Sequence, residues 1–287
     1  MRLLLFRSLW TNGRSLGDAI EDVATGLFDG VEGPLPTEPA DRAAFTRALH
    51  AAAIPFIAEI VTGGDYVPRT HAMDDHLADL RRGLDRASDA GASFATVLAG
   101  CDHWPLGLTV DFFGQALACA RERGLPASFE THRSRPTFTP WATAEILRQL
   151  PDLTLTCDFS HWCCVCERLV LDDEPELLAL FASRARHIHA RVGYAQGPQV
   201  PHPAAPEYRE ALHAHERWWD TIIAARRKTG RNETTITPEF GPDGYLHHSP
   251  FTDQPAASLD EVNRWMADRL RARFVLREPL LSAGGAR

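Results

Sequence analysis

Eight short runs of strand character alternate with helix-length stretches along this chain, and that alternation constrains the fold more than any other feature. The runs lie at residues 3–9, 30–32, 55–60, 93–98, 127–130, 153–158, 186–189 and 234–239. Helical spacing of apolar residues fills the gaps at 41–53, 76–90, 106–123, 140–150, 174–184, 206–228 and 258–273. A first helix is expected within 13–29, where the pattern is weakest. Neighbouring parallel strands need a crossover of about a dozen residues or more, which a helix supplies, so strict alternation means a parallel sheet with helices on its outside. Eight such units close on themselves as an α/β fold, a (β/α)8 TIM barrel, and 287 residues suit the roughly 250 such a barrel takes. One domain over 1–280 is expected, with 281–287 as a frayed tail.

Punctuation agrees with this division. Ser258 precedes Glu261 by three positions, the pattern of a capping box, and Gly124-Leu125-Pro126 marks a helix stop ahead of a strand. The longest connections follow runs five, seven and eight, at 131–139, 191–205 and 241–257. All three leave strand C-termini, where barrel enzymes place their active sites.

Charge narrows the range of partners. A formal net charge of −8 argues against a nucleic-acid surface, whose affinity comes from lysine and arginine neutralising phosphates. No apolar run approaches the roughly 20 residues of a membrane span. Arg7 interrupts the opening Leu3-Leu4-Leu5-Phe6 too early for a signal peptide, so a cytoplasmic location is expected. Cys157, Cys163, Cys164 and Cys166 crowd together, and free thiols are the preferred reading over disulfides or a structural zinc.

Four of the runs finish on residues that bind hard metal ions: Glu130, Asp158 with His161 just beyond, His189, and Glu239. A strand entering a core has no solvent reason to end repeatedly on a charge or an imidazole. In a barrel these ends converge on one mouth, and three carboxylates with one imidazole form an oxygen-rich shell. Such a shell suits one divalent metal ion, Mn2+ first, with Mg2+, Co2+ or Zn2+ as alternatives.

These same residues carry a resemblance. Phe129-Glu130, Asp158-Phe159-Ser160-His161, His187-Ile188-His189 and Pro238-Glu239-Phe240-Gly241-Pro242, with Phe28-Asp29-Gly30-Val31-Glu32 at the second run, are similar to motifs of the sugar isomerase and epimerase family with the xylose isomerase-like barrel. Ketose 3-epimerases and endonuclease IV belong to the same family. The resemblance implies that Glu130, Asp158, His189 and Glu239 hold the metal, that Glu130 and Glu239 double as catalytic acid and base, and that His161 contacts substrate.

The chain departs from both branches in places. Where epimerases carry an arginine about six residues after the seventh-strand histidine, this chain has Ala195, and Arg191 is the nearest arginine. Arg191 is expected either to grip a substrate oxygen or to form a structural ion pair. His103 and His202 fall near positions of metal-binding histidines in endonuclease IV, but Val200 stands where that branch has an aspartate, so pocket or lid contacts are expected of them. Glu59, near the end of run three, is a candidate for substrate hydroxyls. Trp10, Tyr66, Trp104, Trp162 and Tyr194 follow strand ends and are expected to stack on a sugar ring. Trp218 and Trp219 are expected to pack between helices, and His213 and His215 to be exposed.

The leading expectation is a metal-dependent isomerase or epimerase on a carbohydrate, working through proton abstraction and an enediolate-like intermediate. A dehydratase or other lyase is the first alternative. An endonuclease IV-like phosphodiesterase and a non-catalytic sugar-binding subunit come behind it. The expected partner is a small carbohydrate, with no nucleic acid or membrane, and either a monomer or a homodimer fits.

Overall fold

A computed structural model describes residues 1–10, 15–242 and 244–282. Eight strands, β1 (Arg2–Ser8), β2 (Gly30–Pro34), β3 (Phe56–Val61), β4 (Phe94–Leu98), β5 (Ala127–Glu130), β6 (Leu155–Cys157), β7 (Ala185–Ala190) and β8 (Glu233–Pro238), pair in parallel in that order. The barrel closes where Leu5 of β1 meets Ile236 of β8. Around it run α1 (Leu16–Ala24), α2 (Pro39–Ala52), α3 (Met73–Asp89), α4 (Leu106–Glu122), α5 (Pro140–Gln149), α6 (Ser160–Val165), α7 (Pro175–Arg184), α8 (Arg209–Lys228) and α9 (Leu259–Ser282). Every expected strand is present, including the short β2. The helix not foreseen is α6, one and a half turns directly after Asp158. Helix α9 runs to Ser282, and the tail beyond it, 283–287, lies outside the described residues.

The helices form because their apolar positions recur at helical spacing and can be buried against the barrel. On α3, Leu77, Leu80, Leu84 and Ala87 are all buried, while Asp74, Asp75 and Arg81 are exposed. Ser15 and Asp18 form a reciprocal capping box on α1, and the Ser258 hydroxyl accepts the Glu261 N–H at the start of α9. Trp218 and Trp219 pack in the helical shell, as expected. His215 does not follow expectation: it is fully buried on α8, its Nδ1 donating to Ala211 O and its Nε2 accepting the Gly193 N–H. Four residues separate His215 from Ala211, so helix geometry supplied the partner that spacing between histidines did not reveal.

Inside the barrel the residue layers change character with height. A floor of Leu4, Phe6, Ile57 and Phe94 is apolar. Above it Thr96, Ser128 and Thr156 exchange hydroxyl contacts, and His187 bonds Thr235 and Thr237. Barrel interiors are ordinarily filled by branched aliphatic side chains, so a polar middle layer departs from the usual pattern and supports something charged above it.

All six cysteines are free thiols. Among the described residues no helix is long and apolar enough to cross a membrane.

Candidate metal centre and substrate cavity

Side chains alternate along a strand, so His187 and His189 of β7 point inward together, and Arg191 just past the strand end continues the same face. The same parity brings Glu130 from β5 and Glu239 from the end of β8. All of these, with Asp158, are buried. Nδ1 of His189 lies 2.9 Å from Oε2 of Glu239 and 3.8 Å from Oε1 of Glu130. Donor atoms of Glu130, His189 and Glu239 lie within 4.8 Å of one another, and those of Glu130, Asp158 and His161 form a second cluster that shares Glu130. The four strand ends therefore do meet at one mouth, as two clusters hinged on one glutamate.

Orphaned atoms test whether an ion fits. His189 Nδ1 and Glu239 Oε2 are buried and adjacent, yet neither has a hydrogen-bond partner. Leaving such groups unpaired costs about 1–3 kcal/mol each, more where charged, unless both face a common ion. His189 Nε2 lies 3.0 Å from Oε1 of Glu32, whose carboxylate can only accept, so in the neutral ring the proton sits on Nε2 and the Nδ1 lone pair faces the cluster. Burial alone would lower the His189 pKa, but Glu239, Glu32 and Glu130 outweigh it and push it well above the ordinary value. A field that draws a proton onto His189 is a field that favours a cation. The donor set fits a divalent metal.

Glu32 was missed as a site residue in the sequence. It is fully buried beneath the mouth, bonding His189 through Oε1 and His187 through Oε2 at 3.0 Å each. Burial would raise its pKa, but His189 and His187 hold it well below the carboxylate range. Its available signal was parity: a glutamate at an inward position of a short strand otherwise bounded by glycines.

Arg191 dominates the other side of the mouth. Its Nη2 donates to Asp158 Oδ2 and to His161 Nε2, and its Nε donates to Ser160 Oγ at 3.1 Å. Asp158 Oδ1 accepts from both the Ser160 backbone N–H and hydroxyl. Ser160 can reach both because the chain after β7 passes tightly over it: a Cβ on Gly193 would stand 2.5 Å from Ser160 O. One lone pair of Asp158 Oδ2 is left after Arg191 is served. Burial, then the positive Arg191 and Glu239's opposing charge, leave Asp158 raised overall, whereas Arg191 and His189 outweigh burial at Glu239 and lower it.

A cavity opens over this cluster, and Trp10, Glu59, Tyr66, Glu130, Arg191 and Glu239 line it. Glu59 is where the sequence placed it. Tyr66 donates to its Oε1 at 3.2 Å, its Oε2 has no partner, and burial together with the Glu130, Glu32 and Glu239 charges pushes it up to about 8. Burial likewise raises Glu130 to about 7.

Several expected contacts lie elsewhere. Trp162 is fully buried, donating to Thr137 O and stacked on Phe159, because α6 turns it into the helical shell. Trp104 packs on His76 and Phe112 and donates to His71 O. His103 is exposed beside Asp102, and His202 packs on Trp265 away from the cavity. Tyr194 packs on Tyr208. His161 is fully buried, accepts from Arg191 Nη2 and packs on His132 at 4.0 Å between rings, so it holds Arg191 and does not line the cavity. A larger apolar groove between α8 and α9 lies apart from all of this; in it Arg273 pairs with Glu216 and Asp220, and Arg227 stands over the Phe274 ring.

The family model for the xylose isomerase-like TIM barrel matches residues 21–194, more than half of the chain. The chain belongs to this family. Solved structures of similar fold include D-allulose 3-epimerase from Methylomonas sp. (13% identity, 95% of this chain and 97% of that one, TM-score 0.62). A probable 3-DHS dehydratase from Bacillus anthracis (14%, 94% and 99%, TM-score 0.60) and endonuclease IV from Thermus thermophilus (16%, 85% and 94%, TM-score 0.56) are also similar. At such identities the likeness shows the fold. No curated protein matches the sequence.

Proposed function

We propose that the protein is a divalent-metal-dependent isomerase or epimerase of a carbohydrate or carbohydrate derivative, with Glu130, Asp158, His189 and Glu239 holding one ion, Mn2+ in the first instance. The observation that carries this reading is the buried, adjacent and unpaired pair of His189 Nδ1 and Glu239 Oε2, with Glu130 beside it. When bound, the ion supplies electrostatic stabilisation for charge developing on a sugar carbonyl and its neighbouring hydroxyl.

The remaining work falls to this chain's own residues. A proton α to a carbonyl is too weakly acidic to leave unaided, so a carboxylate must stand next to it. Glu239, held ionised by Arg191 and His189, is suited to take that proton. Glu130, at about 7, is suited to return one at a neighbouring position near neutral pH. Arg191, locked by Asp158 and Ser160, orients substrate oxygens, and Trp10 offers an apolar face to the sugar ring.

Glu59 favours one second reading. A buried carboxyl kept protonated at neutral pH, with Oε2 unpaired in the cavity, is placed to protonate a departing hydroxyl, which would make the product a dehydrated one. Incubating the Mn2+-loaded protein with a sugar panel in D2O and following products by NMR separates the two. Solvent deuterium on carbon with every oxygen retained supports isomerisation or epimerisation, and loss of a hydroxyl supports the lyase. Glu239→Gln should lower turnover by about a hundredfold or more, typical for loss of a positioned acid or base, and normal turnover in that variant would contradict the assignment.

A further inference from the structure

We infer that the substrate is an anionic carbohydrate, whose carboxylate or phosphate is received by Arg191 and Arg133, which both approach the Tyr245 ring in the cavity. The inference rests on the carbohydrate reading above and adds a substrate class to it.

The chain as a whole is acidic, at −8, yet two guanidiniums, those of Arg133 and Arg191, line this cavity. Among the described residues Arg133 has no acidic partner; its one polar approach is to Cys164 Sγ at 4.0 Å. Its guanidinium carbon stands 5.1 Å from the Tyr245 ring centroid, and that of Arg191 stands 4.5 Å from the same centroid. The two cations thus converge on one half-buried ring at the rim. Arg191 is fixed through Nε and Nη2, while among the described residues Nη1 makes no hydrogen bond and approaches Glu239 Oε1 at 3.7 Å. A rigid guanidinium with one free nitrogen in a cavity is arranged to meet an anion.

The acids around it do not supply one. Glu130 and Glu239 turn donor atoms to the metal cluster, and Asp158 is already bonded to Arg191 and Ser160. Glu59 accepts the Tyr66 hydroxyl through Oε1. His132, which lines the same cavity, is bonded through Nδ1 to Ser134, and an imidazole supplies no negative charge. Among the described residues neither Arg133 nor Nη1 of Arg191 therefore has a carboxylate within hydrogen-bond distance, and an anionic substrate group would supply one to both.

The test is calorimetric titration of the full-length, Mn2+-loaded protein with matched sets of a neutral hexose, its uronate and its 6-phosphate in the gluco, galacto and manno series. In at least one series the uronate or the phosphate should bind at least tenfold more tightly than the neutral sugar, and which of the two wins assigns the anionic group. Arg133→Gln, an exposed position, should erase the preference while leaving Mn2+ affinity unchanged. Neutral sugars binding as tightly in every series, or a preference that survives Arg133→Gln, would overturn the inference alone. A wild-type chain that takes up no Mn2+ and binds no member of the panel would remove the metal-dependent reading with it.

Discussion

Glu32 and His189, 157 positions apart, are joined by a 3.0 Å hydrogen bond from Nε2 to Oε1 at the base of the barrel mouth. The bond sets the ring's tautomer and so aims the opposite nitrogen at Glu130 and Glu239. Glu32 is proposed as a positioning residue: it touches the histidine assigned to the proposed metal site, and it does not line the cavity. Partners of this kind typically change metal affinity by about 10–100-fold when removed. Glu32→Gln should weaken Mn2+ binding within that range by calorimetry while circular dichroism stays native, and an unchanged affinity would separate Glu32 from the metal centre.

Metal uptake should depend on pH in a defined direction. Without an ion, the charges of Glu239, Glu32 and Glu130 favour the protonated form of His189 against its burial, and burial raises Glu130 to about 7. The ion needs both donors deprotonated, so it must displace those protons. Mn2+ affinity should rise as pH goes from 6 to 8, with about one to two protons released per ion, read from titrations in buffers of different ionisation enthalpy. An affinity flat with pH would contradict the ligand set.

Arg135 ties the loops of the mouth together. Buried after β5, it donates to the carbonyls of Thr62, Gly100, Asp65 and Tyr66, which belong to the connections after β3 and β4. Hydrogen bonds from charged groups contribute about 1.5–3 kcal/mol each, and unpaired carbonyls add to the loss. Arg135→Met should therefore cost about 3 kcal/mol or more in urea unfolding, and a loss under about 1 kcal/mol would show that the loops hold themselves.

The aromatic residues separate by role. Trp10 lines the cavity and lies 5.8 Å from the His189 ring, whereas Trp162 is closed inside the helical shell. Trp10→Ala should raise KM for the sugar substrate several-fold with the melting temperature nearly unchanged. Trp162→Ala should cost about 3–5 kcal/mol of stability, the range for large aromatic truncations in cores. The reverse pattern would exchange their places.

The barrel could be anticipated because its signals are local: period-two and helical spacing differ, and each strand and helix carries its own. Glu130, Asp158, His189 and Glu239 stood out because charge at a strand end is locally anomalous. Glu32 and His187 did not, since an inward residue in mid-barrel is recognisable only once its cross-barrel partner is known. Arg135, Arg133 and Tyr245 sit on loops whose course no periodicity sets. Trp162 was misplaced for a related reason. It directly follows His161, and α6 sends the two in different directions.

The measurement that bears most directly on the metal centre is Mn2+ stoichiometry and affinity by calorimetry on the wild-type chain and on Glu239→Gln and His189→Ala. The account predicts one exchangeable ion per chain, bound at least tenfold more weakly by each variant. No bound ion, or affinity unaffected by either substitution, would contradict it.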